Sequence, residues 1–188
     1  MKVGFKMNEI EIKVKVDNEN NLMKKLEECK CKLSESKKQV DTIFLENNAK
    51  DFNIVTGMIV MRIRQVDDKN IITLKQRKEK VMESKEIEFF VSDYGACKDL
   101  IQTLGYKEMV TVEKERITTK YKDFNICIDK VKHLGLFAEI EIVTPDNNMA
   151  NYYEKEMQKV CGELGLNIDN RINSHYDTMV YEQKLTSK

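Results

Sequence analysis

Strict alternation of charged and apolar residues at two distant places constrains this chain most: Glu9-Ile10-Glu11-Ile12-Lys13 near its start and Glu139-Ile140-Glu141 near its end. Successive side chains of a β-strand point to opposite faces, so each run places its carboxylates on one face and isoleucines on the other. Two such pairs could hold a divalent metal. Between them lie Arg62-Ile63-Arg64, Lys75 and Lys114-Glu115-Arg116, where a spacing of two again projects cations from one strand face. The pattern points to a metal and a polyanion.

The chain of 188 residues is 41% hydrophobic, enough for one well-buried core, and a single domain over residues 1–188 is expected. Lys+Arg and Asp+Glu both number 32, so net charge gives no sign of a nucleic-acid partner, and none is expected. Five cysteines (Cys29, Cys31, Cys97, Cys127, Cys161) form no CxxC pair and accompany only two histidines, which argues against a zinc site. Free thiols, no apolar signal core and no run near the ~18 apolar residues of a membrane span predict a cytoplasmic protein with no membrane association.

Residues 6–16 read as a strand, followed by a helix from Asn18 to Cys31 with Asp17-Asn18 at its N-cap and Leu22, Met23, Leu26 and Cys29 on one face. Strands are expected at about 38–46, 58–67, 70–78 and 82–92, with Asp67-Asp68-Lys69-Asn70 as turn chemistry. A helix from Asp93 to Leu104 ends at Gly105. Strands at about 106–120, 123–132 and 136–144 follow, the last closed by Pro145. A helix from about Met149 to Leu164 stops at Gly165, and 171–183 reads as a final short helix. About eight strands in hairpin-length connections favour an antiparallel sheet or barrel with helices packed outside.

The apolar faces, with Ile10, Ile12 and Val14 on the first strand and Ile140 and Ile142 on the last, require a cover that amphipathic helices can supply. The charged faces have two possible fates, water on the open side of a sheet or the lumen of a closed barrel. Patterning alone favours the wet face. Arginine at 62 and 64 weighs the other way, because a planar fork suits bidentate phosphate binding. In a lumen the charges would need compensation, since each unpaired ion costs several kcal/mol. A linear triphosphate carrying Mg²⁺, or Mn²⁺ as second choice, would supply it through hard oxygen ligands.

Taken in order, Glu9-Ile10-Glu11-Ile12-Lys13, Asp41-Thr42, Arg62-Ile63-Arg64, Lys75, Lys114-Glu115-Arg116, Asp129 and Glu139-Ile140-Glu141 resemble the CYTH superfamily, the triphosphate tunnel metalloenzymes. The stretch Ile126-Cys127-Ile128-Asp129 and the run Leu134 to Glu141 look like its class IV adenylate cyclase branch. The resemblance implies an α+β fold, an eight-stranded antiparallel β-barrel forming a triphosphate tunnel with helices outside. It further implies that Glu9, Glu11, Asp129, Glu139 and Glu141 hold one or two metal ions, and that Lys13, Arg62, Arg64, Lys75, Lys114 and Arg116 hold phosphate oxygens. Glu11, Lys13, Asp129 and Glu141 are the candidate catalytic residues, with Glu86 and Glu88 secondary. A homodimer is also implied as possible.

The sequence departs from the family at Ile43, where Tyr is frequent, at His175 in Ser174-His175-Tyr176-Asp177, and at Lys130 and Lys132 after Asp129. His133 reads as a surface turn residue and His175 as a capping residue. The expected activity is metal-dependent conversion of ATP to cyclic AMP and pyrophosphate, with hydrolysis of tripolyphosphate, a nucleotide or thiamine triphosphate as the alternative. A non-catalytic polyphosphate- or nucleotide-binding module and a scaffold with solvated charged faces are the rivals from other classes.

Overall fold

In the computed structural model, residues 8–52, 55–77, 84–144 and 149–186 are described. The strands are β1 (Asn8–Lys15), β2 (Lys37–Glu46), β3 (Ile59–Val66), β4 (Lys69–Arg77), β5 (Ser84–Val91), β6 (Tyr106–Tyr121), β7 (Phe124–Val131) and β8 (Gly135–Thr144). The helices are α1 (Glu19–Glu28), α2 (Tyr94–Thr103), α3 (Ala150–Glu163) and α4 (Tyr176–Thr186). The eight strands have the order β1-β8-β7-β6-β2-β3-β4-β5, and with the four helices they give the α+β fold that the resemblance implies. Pro145, residues 6 and 7 of the first expected strand, residue 78 of the fourth and residues 82 and 83 of the fifth lie outside the described residues.

The chain divides into two compact units. The first comprises Met1–Ser36, Arg116–Lys130 and Gly135–Asn173. Here β1 and β8 pair antiparallel with Glu11 opposite Glu141, Ile12 opposite Ile140 and Lys13 opposite Glu139. Ile12, Val14, Ala138 and Ile140 turn to the other face and pack with Leu22 and Leu26 of α1, Met157, Val160 and Cys161 of α3, and Phe124, Ile126 and Ile128 of β7. The expected helical cover of the apolar face is therefore present.

Asn18 caps α1 as its spacing predicts, its side chain accepting from the Asn21 N–H at 3.0 Å. The helix ends at Glu28, three residues before the expected Cys31. Lys30 adopts φ 55°, which lets the Cys31 N–H reach the Leu26 carbonyl and the Lys30 N–H that of Glu27. A left-handed residue closes many helices, but glycine usually fills that position, so a lysine there gives no stop signal. Gly165, at φ 69°, follows α3; a Cβ added there would lie 2.7 Å from the Asn21 side-chain nitrogen.

The expected final helix over 171–183 begins later. Residues 168–170 form a 3₁₀ turn, Arg171 bridges to Val14, and the Ile172 N–H donates to the Lys13 carbonyl at 2.8 Å. Residues after the turn are therefore bonded to β1, and α4 starts at Tyr176.

The second unit comprises Lys37–Glu115, Val131–Leu134 and Ser174–Lys188. Strands β2 to β5 pair antiparallel in chain order, with Asp41 opposite Arg64, Arg62 opposite Thr73 and Lys75 opposite Glu86. The turn between β3 and β4 is confined to Asp67-Asp68, with Asp67 at φ 53°, while Lys69 and Asn70 already belong to β4. Asp93 caps α2 by accepting from the Ala96 N–H at 2.9 Å, and Gly105 follows at φ 90°. Cys97 and Ile101 of α2 pack on Phe44, Met61, Ile63 and Ile72.

Three substitutions test the first unit's packing by urea unfolding. Leu26→Ala, at a fully buried position, is expected to cost about 2–5 kcal/mol through lost burial and a cavity. Gly165→Ala is expected to cost about 1–3 kcal/mol through left-handed strain and the close approach of Asn21, whereas Gly162→Ala, with open space around its Cβ, should not destabilise.

Candidate functional site

In the first unit, alternation puts Glu9, Glu11 and Lys13 on one face of β1 and Glu139 and Glu141 on the paired face of β8. Lys13 is buried, its Nζ 3.3 Å from Glu139 and 3.8 Å from Glu11. Arg116 on β6 donates through Nε to Asp129 at 2.6 Å, makes a second, shorter contact to the same carboxylate, and donates through Nη2 to Glu139 at 2.5 Å. Asp129 is fully buried. Burial works against the Arg116 charge, but the hydrogen bond and charge of Asp129, with Glu139 behind them, raise its pKa well above the ordinary value.

Asp129 and Glu139 are thus held by cations of the chain itself. The carboxylates drawn together are Glu9, Glu11 and Glu141, each offering an oxygen within 4.8 Å of the others. Burial pushes the Glu141 carboxyl above its usual range. Its hydrogen bond with Glu9 and the charge of Arg116 oppose that, while Glu139 and Glu11 add to it. Three convergent carboxylates repel one another unless a cation or proton sits among them. Their oxygens suit Mg²⁺ or Mn²⁺, and the nearest soft candidate by strand position, Cys127, is a buried thiol pushed up to about 12, chiefly by burial, so it stays protonated.

The second unit carries the other cations. Arg64 grips Asp41 through Nε and Nη2, both at 2.7 Å. Burial raises the Asp41 carboxyl, but the bond and charge of Arg64, aided by Arg62 and Lys114, bring it well below the usual carboxylate range. Arg62 donates to Thr73 at 3.0 Å and to Glu88 at 3.3 Å, and Thr73 in turn donates to Glu88. The Arg62 Nε is buried and has no hydrogen-bond partner among the described residues. Burial first, then repulsion from Arg64, lowers the Arg62 pKa, against the pull of Asp41, Glu86 and Glu88. Lys75 pairs with Glu86 at 2.7 Å, and Lys114 is buried with its ammonium 5.0 Å from the centre of the Tyr176 ring.

Glu86 and Glu88 therefore act in this structure as cross-strand partners of Lys75 and Arg62. Asp41 and Thr73 orient guanidinium groups and were not among the expected site residues. The signal for Asp41 was a lone acid in the run Val40 to Leu45, which is otherwise apolar or threonine. His133 lies exposed in the β7–β8 turn at φ 69°, its carbonyl accepting from Gln183, in keeping with a turn residue. His175 immediately precedes α4 and its carbonyl accepts from the Met179 N–H.

Residues 7–176 match the family described as the CYTH domain. A Methanocaldococcus jannaschii protein provisionally named adenylate cyclase is 32% identical over 172 residues, covering 90% of this chain and 97% of that protein. A solved Pyrococcus horikoshii protein is 26% identical with a TM-score of 0.77, over 92% of this chain and 99% of that one. A Hippeastrum protein described as a candidate adenylyl cyclase with a dominant triphosphatase activity shares the fold at 14% identity and a TM-score of 0.64, over 95% of this chain and 96% of that one. The match over most of its length, carried by the same α+β fold of antiparallel strands and helices, shows that this chain belongs to the CYTH domain family.

Proposed function

We propose that this protein is a divalent-metal-dependent enzyme acting on a triphosphate, with conversion of ATP to cyclic AMP and pyrophosphate as the leading reaction. The convergence of Glu9, Glu11 and Glu141 in one oxygen-lined group carries the reading. Mg²⁺ or Mn²⁺ bound there would supply charge neutralisation and Lewis acidity at a phosphate oxygen. The remaining work falls to the chain's own residues.

In the first unit Lys13 and Arg116, and in the second unit Arg62, Arg64, Lys75 and Lys114, are each a set of cations that would neutralise phosphate oxygens or the charge developing on a phosphate leaving group. Asp41 fixes the Arg64 fork, and Asp129 with Glu139 fixes that of Arg116, so both guanidiniums are oriented before a ligand arrives. The orphaned Arg62 Nε offers a donor direction for an anionic oxygen. Asp129 and Glu139 act in this reading through Arg116; their direct metal ligation, expected from the resemblance, would require that pairing to rearrange.

The cyclase reading draws on the likeness to the M. jannaschii protein and on the Ile126–Glu141 segment. Triphosphate hydrolysis is the second reading, supported by the activity named for the Hippeastrum protein. A non-catalytic binding module would keep the arginines and lose nothing without metal. No helix among the described residues is long and apolar enough to cross a membrane, and the five cysteines are free thiols, which supports a cytoplasmic location. A homodimer remains part of the proposal.

Incubation with ATP or tripolyphosphate and Mg²⁺ or Mn²⁺, followed by separation of cyclic AMP, pyrophosphate and phosphate, tests the reading. Cyclic AMP with equimolar pyrophosphate is expected from ATP; phosphate without cyclic AMP would replace the cyclase by a hydrolase, and no turnover of either substrate would sink both. Glu11→Gln should raise the Mg²⁺ concentration for half-maximal rate by at least about 100-fold, since loss of groups behind metal ligands alone reaches that order. Arg64→Ala should lower kcat/KM by about 100-fold or more, read by initial rates over a substrate series.

A further inference from the structure

A cavity of about 740 Å³ opens within the first unit, lined among others by Lys30, Lys32, Lys120, Asn125, Cys127 and Glu141. Its place on the strands follows from period two. Lys120 lies four residues after Arg116 on β6, Asn125 and Cys127 lie four and two before Asp129 on β7, and Glu141 lies two after Glu139 on β8. All project from the face that bears Arg116, Asp129 and Glu139. Through Glu141 the cavity adjoins the group of three carboxylates.

The wall formed by residues 30–34 is held to β6. The Ser34 N–H donates to the Thr118 carbonyl at 2.8 Å, the Thr118 N–H donates to the Ser34 hydroxyl at 2.9 Å, and the Thr119 hydroxyl donates to the Lys32 carbonyl at 2.9 Å. The lysines therefore stand on a tied segment. Neither Lys30, Lys32 nor Lys120 makes an ion pair or side-chain hydrogen bond among the described residues, unlike Lys13 and Arg116, which carboxylates hold. The described lining contains hydroxyls and an amide but no aromatic ring, so it offers hydrogen bonds and positive charge rather than a stacking platform.

We propose that this cavity is an anion subsite in which Lys30, Lys32 and Lys120 bind an inorganic phosphoanion, pyrophosphate or the equivalent end of a bound phosphate chain. The proposal rests on the triphosphate reading only for the identity of the anion. Glu141 would repel such a ligand, and a dication among Glu9, Glu11 and Glu141 would reverse that repulsion, so pyrophosphate affinity should be higher in Mg²⁺ than in EDTA.

Calorimetric titration of the full chain with pyrophosphate, in EDTA and in Mg²⁺, tests the assignment. Lys30→Gln, Lys32→Gln and Lys120→Gln should each weaken binding about threefold, and the triple variant about 20-fold or more, in both buffers. The triple variant Lys24→Gln/Lys50→Gln/Lys155→Gln removes equal charge from exposed positions elsewhere and should stay within about twofold of the parent at 0.15 M salt.

Lys30→Gly separates a ligand role from a helix-ending one. Glycine relieves the left-handed backbone, so Tm should hold or rise while pyrophosphate affinity falls about threefold. Equal weakening by the two triple variants, or affinity within twofold of the parent for the cavity variant, overturns the proposal. Failure of Mg²⁺ to strengthen binding, or absence of metal-dependent turnover, strikes instead at the metal and triphosphate reading and leaves the lysine effect in EDTA as its own measurement. A parallel rise in KM for the triphosphate assigns the subsite to bound substrate; unchanged KM with weakened pyrophosphate inhibition assigns it to released product.

Discussion

Holding charge away from water is the constraint on which the first unit turns. Lys13, Asp129 and Glu139 are buried and Arg116 nearly so, and each alone would cost several kcal/mol. They are tolerable because Arg116 spans Asp129 and Glu139 while Lys13 adds a second cation to Glu139. That network fixes the strand register. A slip of one residue between β1 and β8 would turn Glu11 and Lys13 toward Leu26 and Met157 and expose Ile12, so the apolar and ionic faces enforce the same pairing.

The second unit uses the same device with the signs arranged differently. Asp41 sits opposite Arg64 in register, and Thr73 and Glu88 continue from Arg62 across β4 and β5. Guanidinium planes held this way lose little freedom when an anion arrives, which is what preorganised electrostatic binding requires. The compensating carboxylates come with a consequence for strength. On the proposed reading a ligand would have to compete with Asp41, Glu86 and Glu88 for the same cations, so a compact, multiply charged anion would have the advantage over a single carboxylate.

Much of this was readable in the sequence because period two is a local signal. Strand identities, the N-cap at Asn18, and the glycine stops at 105 and 165 depend on neighbours a few residues apart. The misplaced ends had other causes. Lys30 ends α1 by adopting a conformation its residue type disfavours, and residues 171 and 172 bond to β1 across more than 150 residues of chain, which no local pattern encodes. The site divides likewise. Which residues are charged and which face they share was legible. That Asp129 and Glu139 bind Arg116, leaving Glu9, Glu11 and Glu141 to converge, depends on side-chain pairing between strands and was not.

On the proposed reading, cyclisation and hydrolysis would both use a metal, oriented cations and a leaving phosphate whose charge is neutralised, so the same strand-face charges would suit either reaction. Selection between them must come from groups that position the attacking oxygen, a ribose hydroxyl in one case and water in the other. In the first unit, the cavity beside Glu141 is bordered by lysines, hydroxyls and Asn125, and among the described residues no aromatic ring lines it to hold a base by stacking. A nucleotide there would be held through phosphate and hydrogen-bonding groups. On the proposed triphosphate reading, a difference in how the attacking oxygen is positioned would arise outside the carboxylates and arginines of the strand faces, in segments such as Lys30–Ser34, which is tied to β6 through Ser34 and Thr118.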